Sequence, residues 1–241
     1  MNRDAVNQIS ALGWVEGATV AGTIHDRWPD YSVELVAVDH VDPVRLAAAA
    51  EQLFDEAHVS ARADADEVDA QIVRWHDAYR DFGVKPRVAR VSVDALLRRA
   101  RTDNGLPRIT PLVDLYNAIS ILHCVPIGGE DLDRYDGPPK LFIASGDEEF
   151  HTTAQGEPIL EHPDPGEPVW ADLAGITCRR WNWRQTSRTA ITADTQRVGF
   201  IIDSLAPPHD DALLAAERLD DLFADVVRRT ISSPHIGTTP C

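Results

Sequence analysis

The sequence lacks the features that mark membrane, secreted and metal-binding proteins. No apolar run in its 241 residues approaches the ~20 residues that a membrane-spanning helix requires. Residues 1–8 contain no apolar core of a signal peptide. The three cysteines, Cys124, Cys178 and Cys241, have neither metal-site spacing nor the even number of a disulfide framework. These absences predict a cytoplasmic protein that does not contact a membrane and whose cysteines are reduced.

The motifs of several enzyme classes are also missing. The chain contains no P-loop, no GxGxxG fingerprint, no HExxH motif, no nucleophile elbow and no Ser-His-Asp order. Four histidines, His123, His151, His162 and His209, are isolated from one another, as structural or solvated histidines usually are. We therefore expect neither a metal ion nor a cofactor, and no protein nucleophile can be assigned.

Negative charge dominates the composition. The chain has 39 acidic and 23 basic residues and a net charge of −16. This charge opposes sequence-independent binding of nucleic acid, which depends on phosphate neutralisation. Two segments are locally basic, however: seven basic side chains lie within residues 85–108, and four arginines lie within residues 179–188. Either these segments meet as one cationic face of an acidic protein, or they are separate solvated faces.

The apolar pattern predicts that helices and strands occur in separate runs. Residues 1–40 are β-rich, with strands over 18–24 and 32–38, and strands also dominate residues 140–203. Five helices are predicted, over residues 43–57, 66–82, 93–100, 111–122 and 210–229. Because strands follow strands instead of alternating with helices, we expect an α+β fold with mixed or antiparallel sheets and packed helices.

The helix after Thr110 carries two polar side chains on an apolar face. Thr110 is the predicted N-cap, and Pro111 suits the first helical position. Asp114 and Asn117 lie at i and i+3, where buried polar groups need protein partners or a ligand. They are either satisfied groups that hold a nearby loop or one wall of a ligand cavity.

Residues 178–184 hold the densest cluster of aromatic and basic side chains. Trp packs on planar groups, and Arg binds carboxylates or phosphates through its planar fork. Alternation along a strand would place Trp181 and Trp183 on one face and Arg180, Asn182 and Arg184 on the other. The segment is either an ordinary strand with a solvated polar face or a second cavity wall, on which Arg180 and Arg184 together bind an anion.

Four blocks of the sequence resemble one known family. They are LPRITPLVDLYN at 106–117, PIGGEDLD at 126–133, GEPVWAD at 166–172 and CRRWNWR at 178–184. In this order they resemble the free-standing B3/B4-domain proteins, which are similar to the editing domain of the phenylalanyl-tRNA synthetase β subunit. The resemblance covers roughly residues 75–204. It implies a single B3/B4-type domain over residues 1–230, with 1–65 as its less certain part, followed by a flexible tail at 231–241.

The resemblance implies both a ligand and a site. In the synthetase, the domain hydrolyses tyrosine wrongly esterified to phenylalanine tRNA. By resemblance, this chain would bind an aminoacyl-tRNA or an amino-acid-like molecule, with Asn117 on the pocket helix and Gly128 and Gly129 at the pocket turn. The synthetase has a histidine where Gly128 stands and a glutamate near the position of Ser187. Its selecting residues are therefore absent here, although the pocket is retained.

Three functions remain open. The first is hydrolysis of misacylated tRNA in trans, the second is non-catalytic binding of RNA or an amino-acid metabolite, and the third is small-molecule catalysis on a recruited fold. An ester is already activated, so a water oriented by Asn117 suffices for its hydrolysis. The candidate substrate-binding residues are Asp114, Gly128, Gly129, Arg180, Trp181, Asn182, Trp183, Arg184 and Ser187. The resemblance favours the first function, and the acidic charge favours the other two.

Overall fold

A computed structural model describes residues 9–63, 65–154 and 156–233 of the protein. Within these ranges the chain forms seven helices and eleven strands. The helices are α1 (Ala11–Glu16), α2 (Gly22–Arg27), α3 (Pro43–Ala63), α4 (Ala65–Asp81), α5 (Ser92–Ala100), α6 (Pro111–Leu122) and α7 (Asp210–Asp220). The strands are β1 (Thr19–Val20), β2 (Ser32–Val38), β3 (Ile127–Asp131), β4 (Lys140–Ile143), β5 (Phe150–Ala154), β6 (Glu157–Glu161), β7 (Pro168–Asp172), β8 (Gly175–Arg179), β9 (Arg184–Gln185), β10 (Val198–Ser204) and β11 (Val227–Ser232).

A four-stranded antiparallel sheet forms the centre of the molecule. Its strand order is β11-β2-β10-β3. Every residue of β2 and β10 is buried, as expected for strands that are covered on both faces. Helices α1 and α7 pack against β2, and α6 packs against β3. Strand β3 is one edge of this sheet, which leaves room for a site beside it.

A five-stranded mixed sheet packs against the central sheet. Its order is β1-β4-β7-β8-β9, with β1 and β4 parallel and the other pairs antiparallel. The hairpin of β5 and β6 packs on β8. Separate sheets with packed helices confirm the predicted α+β class. None of the helices in the described residues is both long and apolar enough to cross a membrane.

Local sequence signals predicted α6 well. Thr110 is its N-cap and accepts a hydrogen bond from the Val113 amide at 3.2 Å, and Pro111 occupies the first turn. Helix α5 begins at Ser92, one residue before the predicted start, and its N-cap Val91 makes no side-chain hydrogen bond. The start of α6 depends on cap chemistry within four residues, which the sequence displays directly.

Two predicted elements are wrong at the ends of the chain. In place of a strand over 18–24, only Thr19 and Val20 pair with β4, and Ile24 enters the core from α2. The helix predicted to 229 ends at Asp220. Asp225 takes a left-handed conformation with φ of 53°, and β11 then covers the edge of β2. Ile231 and Ser232 of the predicted tail thus belong to a strand. Residues 1–8 and 234–241, including Cys241, lie outside the described residues.

Candidate functional site

A cavity of about 320 Å³ lies between the facing surfaces of the two sheets, beside edge strand β3. This volume is within the range of small-molecule sites. The central sheet contributes Gly128, Glu130, Ile201 and Asp203, and the mixed sheet contributes Trp170, Cys178 and Gln185. Side chains of α5 and α6, among them Arg99, Tyr116 and Asn117, complete the wall at the edge. Both sheets and two helices therefore converge on one partly open cavity.

The two glycines of β3 serve opposite faces of the sheet. A Cβ on Gly128 would meet no atom within 4 Å, because this position faces the open cavity. A Cβ on Gly129 would lie 2.6 Å from Ile191 Cδ1 and 2.9 Å from Tyr116 Cε1. Gly128 thus leaves space for a ligand, whereas Gly129 permits close packing on the other face and does not line the cavity.

The segment predicted as one continuous strand is a turn. Strand β8 ends at Arg179 and β9 begins at Arg184, and Arg180 and Trp181 take φ of 49° and 68°. Two successive non-glycine residues at positive φ are costly unless their surroundings hold them. Here the Trp181 amide donates to the Pro168 carbonyl at 2.7 Å, and the Tyr79 hydroxyl donates to the Arg180 carbonyl at 2.8 Å. Strict alternation therefore fails in this segment.

As a result of the turn, Trp181, Asn182 and Trp183 all line the cavity. Trp181 is fully buried, and its ring centroid lies 4.7 Å from that of Trp28 and 4.9 Å from that of Tyr31. This aromatic contact anchors the turn in the core. The structure thus brings these three side chains together with Asn117 and Gly128, as the sequence predicts, but through a turn instead of a strand.

Arg180 and Arg184 flank one aromatic ring and are neutralised within the chain. Their guanidinium carbons lie 4.3 and 5.1 Å from the Trp183 ring centroid. Arg180 pairs with Asp164 at 3.2 Å, and Arg184 pairs with Glu161 at 2.6 Å. Neither arginine lines the cavity. The anion site predicted at these two arginines is therefore occupied by the chain's own carboxylates.

The other predicted site residues divide between the cavity and its surroundings. Asn117 is half-buried on the cavity wall, and its amide has no partner among the described residues. Asp114 is turned to the start of α6, where it accepts from the Ile109 amide at 2.9 Å, and Arg108 lies 3.7 Å away. Of the two alternatives that the sequence left open, Asp114 therefore holds a nearby loop and does not form a cavity wall. Ser187 is exposed and does not line the cavity.

Asp203 is a cavity residue that the sequence analysis missed. Its carboxylate accepts from the Tyr31 hydroxyl at 2.7 Å and from the Asn182 amide at 3.4 Å. The Tyr79 hydroxyl also lies 3.0 Å from the Asn182 side-chain oxygen, so its one proton is shared between this oxygen and the Arg180 carbonyl. Burial raises the pKa of Asp203 from 3.8 to about 7, although the Tyr31 and Asn182 hydrogen bonds lower it. The sequence offers one sign of this role, because Asp203 is an acidic residue near the end of an otherwise apolar strand.

Glu130 is the second carboxylate that was missed. Burial raises the pKa of its side chain from 4.5 to about 8, while hydrogen bonds from Thr189 and Gln185 act in the opposite direction. The Gln185 amide donates to Glu130 at 2.6 Å and to the Gly129 carbonyl at 2.7 Å. Glu130 directly follows the glycine pair, and this position is the signal that sequence reasoning passed over.

The mouth of the cavity is cationic. Arg90, Arg98 and Arg99 line a shallow surface that shares Arg99 with the cavity. Arg90 and Arg98 pair with the buried Asp94 at 3.2 and 2.7 Å, whereas Arg99 is exposed and has no ion-pair partner among the described residues. Each arginine of the second basic segment, 179–188, pairs with a carboxylate. Only the first segment therefore offers a cation at the mouth.

Comparison with known proteins identifies the family. Residues 74–216, more than half of the chain, match the B3/4 domain model, and the protein therefore belongs to the B3/4 domain family. This confirms the resemblance seen in the four sequence blocks. The matched range contains α5, α6, β3, the turn and β10, and thus every element that builds the cavity.

The chain also matches solved structures. The chain is similar to an N-terminal fragment of the phenylalanyl-tRNA synthetase β subunit from Pyrococcus horikoshii, with 12% sequence identity and a TM-score of 0.42. The similarity covers 88% of this chain and 49% of that fragment, so the chain spans about half of the fragment's length. No curated protein matches the sequence.

Within the described residues, no group of three or more His, Cys, Asp or Glu side chains could hold a metal ion.

Proposed function

We propose that the protein binds the aminoacyl end of a tRNA and hydrolyses its ester in trans. The observation that carries this proposal is the cavity itself: it is of amino-acid size, is walled by aromatic rings, and opens beside Arg99, which has no ion-pair partner in the part of the chain that the structure describes. Membership of the B3/4 family supports the same ligand class, because the family resemblance implies an aminoacyl-tRNA or amino-acid-like ligand. The amino-acid moiety occupies the cavity, and the terminal phosphates lie at the mouth.

The charge distribution limits how much of the RNA is bound. A net charge of −16 repels a polyanion over most of the surface. Arg99, with Arg90 and Arg98 beside it, offers a local exception on α5. A small number of phosphate contacts suits recognition of an acceptor end better than recognition of a whole tRNA body. Binding then falls with salt, but with a shallow slope.

The chemistry we propose is direct attack by water. Cys178 lines the cavity, but burial raises the pKa of its thiol well above the usual value, so the thiol stays protonated and is a poor nucleophile. The attacking water passes its proton through solvent at the cavity mouth to the leaving oxygen, so no carboxylate of the chain has to act as the base. The amide of Asn117 orients the water or the ester carbonyl. The ester C–O bond then breaks, and the tRNA hydroxyl leaves with the proton.

Deacylation of a panel of aminoacyl-tRNAs, with free aminoacyl esters as controls, tests the proposal. Removal of one oriented donor lowers rates by ~10²–10³, so we expect Asn117→Ala to lose most activity while it remains folded. Ser187→Ala is the matched control, because Ser187 is exposed and outside the cavity. An acyl-enzyme adduct in the mass spectrum would refute the water mechanism. Absence of hydrolysis across the panel would refute the esterase function.

A second candidate function is non-catalytic binding of a free amino-acid metabolite. The observation that favours it is the strongly acidic charge, which disfavours RNA and does not disfavour a small cation. Tight binding of a free amino acid, without hydrolysis of any aminoacyl-tRNA, would select this function. The same panel therefore separates the two candidates.

A further inference from the structure

Two carboxylates stand at opposite ends of one cavity floor. In the pairing of β3 with β10, Glu130 is the partner of Gly199, and Gly128 is the partner of Ile201. Residues of one strand share a face at every second position, so Glu130, Ile201 and Asp203 face the same side. Asp203 is four residues beyond Gly199, which separates the two acidic positions by roughly 13 Å along the strand. Between them, Gly128 leaves the floor bare.

Neither carboxylate has a cationic partner among the described residues, although each residue is only 2% exposed. Asp203 is held by neutral donors on Tyr31 and Asn182, and Glu130 by the neutral amide of Gln185. Buried carboxylates are normally paired or replaced, because an isolated buried charge is costly. Both of these carboxylates instead line the cavity.

The nearest cations are already used or lie at the mouth. Arg188 acts on Glu130 electrostatically, but its guanidinium binds both oxygens of Asp172 at 2.7 and 2.8 Å. Arg99 is exposed at the entrance. None of the cations among the described residues is thus free to complete either carboxylate, which leaves this role to a bound ligand.

Aromatic rings form the rest of the wall. Trp170, Trp181 and Trp183 line the cavity together with Tyr116. Such rings attract an ammonium group over their faces and pack well on its methylene chain. The indole N–H groups of Trp170 and Trp181 lie beside Asp203 and favour its ionised form. Aromatic faces and ionisable carboxylates together suit an ammonium group.

We propose that the cavity selects an amino-acid moiety with a second ammonium group, that is, a diamino acid of the lysine type. One ammonium group pairs with Glu130, the other pairs with Asp203, and the methylene chain crosses the bare floor at Gly128. The inference rests on the proposed function for the presence of an amino-acid moiety in the cavity. A neutral side chain of equal length would leave one buried carboxylate without a counterion.

Proton linkage gives this selection a signature. Burial raises the pKa of Glu130 to about 8 and that of Asp203 to about 7, so the empty cavity holds protons near neutral pH. Cysteine and tyrosine side chains on the same wall stay protonated, because burial also raises the pKa of Cys178 and Tyr116. Binding of a dication ionises both carboxylates and releases their protons to the buffer.

Titration calorimetry with two amides tests the proposal without any substitution. L-lysinamide carries an ammonium group at the end of its side chain, and L-norleucinamide has a neutral side chain of similar length. Both share the same α-amino group and lack a hydrolysable ester. We expect lysinamide to bind about tenfold or more tightly, because a hydrogen-bonded charge pair is stronger than a neutral contact. Lysinamide should also release more protons in buffers of different ionisation enthalpy.

Two conservative variants then assign the ends of the cavity. One of Glu130→Gln and Asp203→Asn should weaken only lysinamide, because it removes the partner of the side-chain ammonium. The other should weaken both amides, because it removes the partner of the α-ammonium. Asp194→Asn is the matched control, since Asp194 is exposed and does not line the cavity. If a variant does not fold, the affinities of the two amides for the unaltered protein still test whether the cavity selects a second ammonium group.

Equal affinity for the two amides, or no binding of either, would overturn the inference. The result is separable from the proposed function. Lysinamide binding without hydrolysis of any aminoacyl-tRNA would keep the selection and refute the esterase. Hydrolysis of neutral aminoacyl-tRNAs without preference for lysinamide would keep the esterase and refute the selection.

Discussion

Gly128 of β3 and Ile201 of β10 are direct partners in the central sheet, and both face the cavity. The absence of a side chain at Gly128 leaves the space that Ile201 alone does not fill. This pair therefore sets the depth of the site, and Glu130 and Asp203 set its two ends.

Filling this floor should remove ligand binding while the fold is retained. Gly128→Val directs a side chain into open space, and a strand accommodates a β-branched residue well. We expect near-normal thermal unfolding and loss of lysinamide binding. Gly129→Ala is the neighbouring control: its methyl group would meet Ile191 and Tyr116, so we expect destabilisation of about 1–3 kcal/mol. Retained affinity in Gly128→Val would show that ligands bind elsewhere.

Removal of the Tyr31 hydroxyl should shift the pH dependence of the site upward. Tyr31 donates to Asp203 at 2.7 Å, and this hydrogen bond lowers the pKa of the carboxyl. Tyr31→Phe should therefore raise that pKa further above about 7 and move the midpoint of the pH–binding profile to higher pH. Tyr135→Phe is the control, because the Tyr135 hydroxyl lies against Thr177 at 3.4 Å. An unchanged midpoint in Tyr31→Phe would exclude Asp203 as the titrating group.

Stability without ligand should fall as pH rises from about 5 to 8. Glu130 has a pKa of about 8 in the folded protein against an ordinary value of 4.5, and Asp203 has about 7 against 3.8. Between these values the folded state binds more protons than the unfolded state, so the free energy of unfolding decreases with pH. Denaturant unfolding at pH 5, 6.5 and 8 measures this slope, which Glu130→Gln should flatten. Asp194→Asn should leave the slope as it is, and an equal slope in all three proteins would contradict the assignment.

Loss of Arg180 or Arg184 should affect the fold more than the salt dependence of binding. Both stack on Trp183, and both pair with carboxylates of the chain. We expect each Ala variant to lose about 1–3 kcal/mol of stability. A large change in the salt dependence of RNA binding, with unchanged stability, would restore the anion site that the sequence predicts there.

Arg99→Ala should have the opposite effect. Arg99 is exposed at the mouth without an ion-pair partner among the described residues, so its loss should leave unfolding unchanged. If it contacts a phosphate, the slope of log affinity for aminoacyl-tRNA against log salt should fall by about 1. Lysinamide, which carries no phosphate, should bind as before. A change in lysinamide affinity alone would place Arg99 at the small-molecule site.

The sequence by itself determined what depends on neighbouring residues. Thr110 and Pro111 predicted the start of α6, the separate runs of strands predicted the α+β class, and the four blocks predicted the B3/4 family. Asn117 and the tryptophans were also candidates for a cavity wall, beside a purely structural alternative, because polar groups on an apolar helix and clustered rings are visible without coordinates.

Only the tertiary structure decided how these residues meet. The turn at Arg180 and Trp181 depends on hydrogen bonds from Tyr79 and to Pro168, which are distant in the chain and outweigh the local preference for a strand. Likewise, Glu130 and Asp203 share one floor only because β3 and β10 pair in one register. Hydrophobic periodicity and helix-cap chemistry act over a few residues. Strand register and burial instead depend on contacts between distant segments. The spacing of residues in the sequence therefore could not predict that Glu130 and Asp203 line the same cavity.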